Sequence, residues 1–118
     1  RLRAESGSVC EEKAGFARAL RVGRRILVSG TTATDLGGRP VCEGDAEGQA
    51  VYAFDKVLAA IGSLGGAPED VVRTRIYLRR ASDWEGVSRA HARVFGAVRP
   101  ANTLVGGVEL IGSYLVEV

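Results

Sequence analysis

Hydrophobic and polar residues alternate in two neighbouring stretches near the start of the chain, and together they predict a β-hairpin. From Phe16 to Val22 every second side chain points the same way, which is the period of a strand. The apolar run Ile26–Thr31 predicts its partner, and Val22–Arg25 predicts the turn between them. Residues 1–14 are polar and show no period, so we expect irregular structure there.

Two later stretches repeat apolar residues at intervals of three and four, which is typical of amphipathic helices. The first helix is predicted over Ala46–Leu64, and the glycine pair Gly65-Gly66 would end it. A capping box predicted at Ser82–Glu85 opens the second helix, which runs to Phe95. Between the two helices, Val71–Leu78 alternates and predicts a strand.

The last twenty residues predict two more strands, so the order of elements is β-β-α-β-α-β-β. Two amphipathic helices need one sheet face to cover, which predicts a two-layer α+β fold with both helices on one face of a mixed sheet. Nothing in the chain would cover the other face, although its strands carry apolar residues on both sides. We therefore expect a homo-oligomer built from a single domain, residues 1–118.

Composition and charge argue against two classes of binding partner, nucleic acids and membranes. The 16 Lys and Arg residues are scattered among 14 Asp and Glu residues, for a net charge of +2, which argues against nucleic acid. The pairs Arg24-Arg25 and Arg79-Arg80 are interpreted as solvated loop charges. No apolar run approaches the roughly 20 residues that span a bilayer, and no signal peptide is visible, so a membrane is not expected as a partner.

Cysteine and histidine usage points away from metals. Cys10 and Cys42 have no CxxC or Cys/His spacing, and His91 is the one histidine, so no zinc site is expected. Two unpaired cysteines favour a reducing, cytoplasmic location. His91 lies four residues from both Val87 and Phe95 on an apolar helix face, which favours a packed, hydrogen-bonded imidazole over a catalytic base.

Six short phrases along the chain carry a family resemblance. They are Arg21–Gly30, Val72–Leu78, Asp83–Glu85, Phe95-Gly96, Arg99–Thr103 and Leu115–Glu117. Together and in this order they resemble the RidA (YjgF/YER057c/UK114, endoribonuclease L-PSP-like) family over essentially the whole chain. The resemblance implies a chorismate-mutase-like (YjgF-like) subunit, a homotrimeric barrel with small-molecule clefts between subunits, and reactive-imine deamination without metal or cofactor.

The same resemblance implies particular site residues. Ser29-Gly30 matches a serine and glycine in the second strand, and Glu117 matches a catalytic glutamate in the last strand. Phe16 falls where deaminases carry an aromatic residue, usually tyrosine, that lines the substrate pocket. Asn102 falls on the arginine that binds the substrate carboxylate, and Leu104 falls on a cysteine.

The asparagine changes the expected substrate. An arginine holds a carboxylate by two charge-assisted hydrogen bonds, whereas an asparagine is neutral and shorter. We therefore expect a substrate other than a standard α-imino acid, unless Arg99 or Arg75 supplies the charge. Asn102 and Thr103 either bind the ligand through amide and hydroxyl or cap the strand entry.

Two residues are candidates for catalysis, each with a structural alternative. A carboxylate in an apolar strand is costly unless it is paired or functional. Glu117 therefore orients the attacking water, lies on an exposed strand face, or pairs with an arginine. Ser29 either hydrogen-bonds substrate or water, or serves turn chemistry. No base lies at a spacing that would make Ser29 a triad nucleophile.

The leading hypothesis is a hydrolase that deaminates enamine or imine intermediates. It would need no metal or cofactor, because an imine carbon is already electrophilic. The alternative is a non-catalytic trimer that binds or senses a small molecule. An endoribonuclease is disfavoured by the weak net charge and by the lack of a basic-aromatic surface.

Overall fold

A computed structural model describes all 118 residues as an α+β fold with two three-stranded sheets and three α-helices. The strands are β1 (Leu2–Ala4), β2 (Ala19–Val22), β3 (Arg25–Val28), β4 (Arg73–Leu78), β5 (Ala101–Val105) and β6 (Val116–Glu117). The helices are α1 (Val9–Ala14), α2 (Ala46–Ser63) and α3 (Trp84–Phe95), with short 3-10 turns at Pro68–Asp70 and Ala81–Asp83.

The N-terminal sheet contains the predicted hairpin, but it also contains structure that the sequence analysis missed. β2 and β3 pair antiparallel, and β1 adds to the free edge of β2. Ser8 caps α1 by accepting a hydrogen bond from the Cys10 amide. The expectation of irregular structure over residues 1–14 is therefore wrong, because a three-residue strand and a six-residue helix are too short to show a hydrophobic period.

The strands form two sheets and not the single mixed sheet that the sequence predicts; only the C-terminal sheet is mixed. β4 lies at its centre, parallel to β5 and antiparallel to β6. The two sheets meet where Thr31 and Val118 exchange backbone hydrogen bonds of 2.8 and 3.0 Å. This junction brings the end of the hairpin beside the last strand, so residues 87 positions apart in sequence become neighbours.

The end of α2 is as the sequence predicts, whereas the start of α3 is not. α2 is followed by Gly65 in the left-handed region (φ 87°), and Gly66 donates to the Ile61 carbonyl, so the glycine pair ends the helix as predicted. The capping box at Ser82–Glu85 is wrong: a 3-10 turn occupies Ala81–Asp83, and Asp83 precedes α3 without a side-chain cap.

Both long helices pack on the same side of the sheets. The principal core joins α2 and α3 to β4 and β6 through Phe54, Ile76, Leu78, Phe95 and Val116. The opposite, open face keeps apolar side chains in solvent, with Leu27, Tyr77 and Val105 exposed by 52%, 37% and 40%. The prediction that nothing in the chain covers this face is wrong at one end, where the segment with Glu11 and Phe16 lies over the hairpin and forms a cleft with Leu20, Leu27 and Ser29.

The final loop is held by an arginine that was expected to be solvated. Arg79 donates from Nε to the Tyr114 carbonyl and from Nη2 to the carbonyls of Leu110 and Gly112, at 2.8 to 2.9 Å. Arg80, by contrast, is exposed. The interpretation of Arg79 as a solvated loop charge is wrong, because the loop after β5 folds back and offers it three unpaired carbonyl groups.

Candidate functional site

Glu117 lies at the junction of the two sheets, on the open face. In β6 it is paired with Tyr77 of β4, while the preceding Val116 points into the core. Its half-buried carboxylate lies against Gly30, in the space that a Cβ at that position would occupy. Only glycine at position 30 allows the carboxylate to lie there without displacement.

The Arg18 side chain contacts two of the predicted site residues, Phe16 and Gly30, although the sequence did not indicate Arg18 itself. Its side chain is buried, with 7% exposure. Nη2 donates to the Gly30 carbonyl at 2.9 Å, and the guanidinium carbon lies 5.4 Å from the centre of the Phe16 ring. Burial lowers the pKa of Arg18, and the negative charges of Glu11 and Glu117 act in the opposite direction.

Ser29 is tied to the hairpin. Its hydroxyl donates to the Ala17 carbonyl at 2.7 Å, and its amide donates to the Arg18 carbonyl. It nevertheless lines, together with Phe16 and Glu11, a cleft of about 590 Å³ between the N-terminal segment and the sheet. The hydroxyl proton is thus used inside the chain, and the oxygen lone pairs remain to accept from a ligand or water.

Two further charged groups lie near Arg18. Glu11 is buried and accepts from the Ser6 amide at 2.9 Å and from the Ser6 hydroxyl. Lys56 donates from Nζ to the carbonyls of Thr32 and Thr34, each at 3.0 Å. Burial and the positive charge of Arg18 lower the pKa of Lys56, while Glu11 opposes this shift.

Asn102 belongs to a different polar group, on the helix side of β5. Its Nδ2 donates to the Thr74 hydroxyl at 2.9 Å, and Thr74 shares a 2.8 Å hydrogen bond with Nε2 of His91. His91 also packs against the rings of Phe54 and Phe95, and burial lowers the pKa of its imidazole. The interpretation of His91 as a packed, hydrogen-bonded side chain is confirmed.

The remaining candidates lie along the same strands without contacting Glu117. Thr103 accepts a 2.6 Å hydrogen bond from Arg73. Arg75 is paired with Thr103 in the sheet register and is exposed. Arg99 is exposed too, in the left-handed backbone region (φ 54°).

The structure therefore sorts the predicted site residues into two groups. Phe16, Ser29, Gly30 and Glu117 meet at the sheet junction around Arg18, whereas Asn102, Thr103, Arg75 and Arg99 lie along β4 and β5 or just before β5. Leu104, on the position of the family cysteine, packs against the principal core. No three His, Cys, Asp or Glu side chains converge on one point, and no helix is long and apolar enough to cross a membrane.

Comparison with known proteins shows the family to which this chain belongs. The family model described as endoribonuclease L-PSP matches residues 8–118. The chain belongs to this family, which is the RidA/YjgF family. An uncharacterized protein of Streptomyces coelicolor is 44% identical over 103 residues, which are 87% of this chain and 76% of that protein.

Two further relatives bear on fold and chemistry. The crystal structure of Rv2704 from Mycobacterium tuberculosis, a member of the YjgF/YER057c/UK114 family, superposes with a TM-score of 0.87 at 36% identity, covering 98% of this chain and 92% of that one. A 2-iminobutanoate/2-iminopropanoate deaminase of Dermatophagoides farinae is 25% identical over 103 residues, 87% of this chain and 80% of that protein.

Proposed function

We propose that this protein is a RidA-like hydrolase that deaminates reactive enamine or imine intermediates. The observation that carries the proposal is the Glu117 carboxylate seated against Gly30, whose carbonyl accepts a hydrogen bond from the buried Arg18 guanidinium. Arg18 in turn contacts the ring of Phe16, which lines the cleft. A half-buried carboxylate is suited to accept a proton from water. The name of the Dermatophagoides farinae relative supports the same chemistry.

The reaction needs only water and a proton acceptor. An enamine first takes up a proton at carbon to give the iminium, whose carbon is electrophilic. Glu117 accepts a proton from water while the water oxygen attacks that carbon and the C=N π electrons move to nitrogen. Glu117 returns its proton to the carbinolamine nitrogen, and the C–N bond breaks to release ammonia. The hydroxyl group gives its proton to solvent as the C=O bond forms, which replaces the proton taken up when the iminium was made. In balance, one imine and one water give one ketone and one ammonia.

The other groups at the junction position these reactants. Gly30 lets the carboxylate approach the chain, and the Ser29 oxygen can accept from water or from the substrate N–H. The Phe16 ring forms a wall of the cleft but has no hydroxyl to donate. Thr103 would face the ligand from another copy of the chain, whereas Asn102 is turned to the helix side of β5, where it donates to Thr74.

We further propose that the protein is a homotrimer and that the small-molecule ligand binds between subunits. The support is the open sheet face, on which Leu27, Tyr77 and Val105 are left in solvent; apolar surface of this kind is commonly buried in an assembly. Light scattering of the purified protein tests this, and a monomer would contradict it. The free thiols of Cys10 and Cys42 fit a reducing compartment such as the cytoplasm.

A matched pair of variants tests the mechanism. Ammonia release is measured from imines generated in situ by an amino-acid oxidase, with native protein, Glu117→Gln and Glu109→Gln. Glu109 is an exposed carboxylate in the preceding loop. We expect Glu117→Gln to lose about 100-fold or more of the rate, since general-base catalysis is commonly worth that much, and Glu109→Gln to match native. Equal rates for native and Glu117→Gln would exclude this mechanism.

The second candidate is a non-catalytic small-molecule binder. It is favoured by one observation, that the Ser29 hydroxyl proton is already used by the Ala17 carbonyl. A metabolite that raises the unfolding temperature, with no imine hydrolysed above background, would support the binder over the hydrolase.

A further inference from the structure

The short helix α1 has few attachments to the rest of the protein. Of its residues, Val9–Ala14, only Glu11 is buried, and none belongs to either hydrophobic core cluster. Its hydrogen bonds all stay within the segment Ser6–Phe16. A segment with few buried apolar contacts separates from the body of a protein at a lower free energy than its core elements do. α1 is therefore the helix that is displaced most easily.

A glycine in the left-handed backbone region stands on each side of α1. Gly7 has a φ of 79° and Gly15 a φ of 74°, a region that glycine enters without steric cost. A Cβ at either position would meet no atom within 4 Å, so neither glycine is required by a close approach. The two glycines are thus placed to act as hinges, about which α1 can move while β1 stays paired with β2.

α1 forms one wall of the cleft of about 590 Å³. Glu11, Glu12 and Gly15 line this wall. The opposite side is largely apolar and includes Leu20 and Leu27, which are paired across β2 and β3. A concave, partly apolar space of this kind is suited to a small ligand. An outward movement of α1 would widen the way to this apolar floor without disturbing the hairpin.

Glu11 fastens α1 from its inner side. Its carboxylate accepts hydrogen bonds from the Ser6 amide at 2.9 Å and from the Ser6 hydroxyl, on the far side of the Gly7 hinge. Burial lowers the pKa of both Arg18 and Lys56, and the charge of Glu11 opposes both shifts, because its carboxylate lies near these two cations. Glu11 thus holds α1 against the body by charge as well as by hydrogen bonds.

We propose that α1 is a hinged lid on the cleft and that the Glu11 side chain latches it in the closed position. Movement about Gly7 and Gly15 would let a small ligand with an apolar group reach Phe16 and the floor of the cleft, and closure would shield that ligand from water. The inference goes beyond the proposed hydrolysis, since a lid would serve a non-catalytic binding protein equally well.

The reactivity of a thiol on the cleft floor measures the opening of the lid. Leu20→Cys is made in a protein whose own thiols are removed by Cys10→Ser and Cys42→Ser, and its alkylation by a maleimide too bulky for the closed cleft is followed. Glu11→Gln keeps the size of the latch and removes its charge, so we expect the rate to rise about tenfold. Glu12→Gln, at the neighbouring exposed carboxylate on the same wall, should leave the rate unchanged.

A second cysteine separates opening of the lid from unfolding of the whole protein. Val87→Cys lies in α3 at a position with 0% exposure, so it reacts only when the core opens, and Glu11→Gln should not change its rate. If Glu11→Gln does not fold, Ser6→Ala decides, because it removes the hydroxyl that donates to the carboxylate and should raise the rate at Leu20→Cys by about threefold. An unchanged rate in the latch variants, an equal rise in Glu12→Gln, or an equal rise at Val87→Cys would overturn the proposal.

Discussion

The carboxylate of Glu117 occupies the place that a side chain at Gly30 would need. The two residues are 87 positions apart in sequence, and they meet because Thr31 and Val118, the residues that follow them, exchange backbone hydrogen bonds. The junction of the sheets thus fixes the candidate base against a backbone segment with no side chain. A glycine here serves a close approach, since its φ is not in the left-handed region.

Gly30→Ala should therefore impair turnover more than stability. The backbone tolerates alanine, and the overlapping atoms belong to the flexible end of Glu117, which can move aside. We expect a stability loss of about 1 kcal/mol but about a 100-fold loss in imine hydrolysis, because the carboxylate is displaced from the position in which it would orient the water. Gly62→Ala in α2, where a Cβ meets no atom within 4 Å, is the control and should leave turnover unchanged. Equal activity in both variants would contradict the role of this contact.

Arg79→Ala should loosen the final loop. The variant leaves the carbonyls of Leu110, Tyr114 and Gly112 without their donor, and charge-assisted hydrogen bonds of this kind lead us to expect a loss of about 2 kcal/mol. Amide hydrogen exchange over residues 110–114 should accelerate. Arg80→Ala, at the exposed neighbouring position, should change the free energy of unfolding by less than about 0.5 kcal/mol. Similar exchange in both variants would show that Arg79 does not hold the loop.

The long periodic elements could be predicted from the sequence because their patterns extend over several turns or residues. α2, α3 and β4 each bury one face, and that burial imposes the period. The short elements could not: β1 owes its strand conformation to its pairing with β2. Ser82 had the right residue type for a cap, but the chain enters α3 through a 3-10 turn instead.

The site shows the same division. Glu117 could be predicted as a candidate because a carboxylate is unusual in an apolar strand, and its carboxylate lies against Gly30. Arg18 could not, because a charged residue in an alternating strand is usually exposed to solvent. The sequence does contain one indication: Arg18 shares its strand face with Phe16 and Leu20, and a charged residue on an apolar face is typical of a paired or functional side chain. Arg18 also lies near the negative charge of Glu11 in α1, a helix that the sequence did not predict.

Arg99→Gly should stabilise the protein. Arg99 has a φ of 54°, and its amide donates to the Phe95 carbonyl after the end of α3. A left-handed conformation costs a residue with a Cβ about 1 kcal/mol relative to glycine. We expect thermal unfolding to show a gain of that size for Arg99→Gly and none for Arg99→Ala, which keeps the strain. If Arg99 supplied the charge for a substrate carboxylate, both variants would lose imine hydrolysis; we expect both to keep it.

His91 should make stability depend on pH in the mildly acidic range. Burial lowers the pKa of its imidazole below the value of about 6.5 that applies to the unfolded chain. As the pH falls through that value the unfolded state takes up a proton first, so the folded state loses stability between about pH 6.5 and the lower folded pKa. Above about pH 6.5 both states hold neutral His91, and this contribution to stability is fully present.

The measurement compares native protein with His91→Phe, which keeps a ring against Phe54 and Phe95 but has no titrating group. The free energy of unfolding is determined at about pH 7.5 and about pH 5, and the advantage of native over variant should shrink at the lower pH. Thr74→Val removes the hydroxyl bonded to Nε2 of His91 without removing the imidazole, so the variant should retain the pH dependence. An advantage of native over His91→Phe that is constant with pH would mean that the imidazole is not desolvated in the fold.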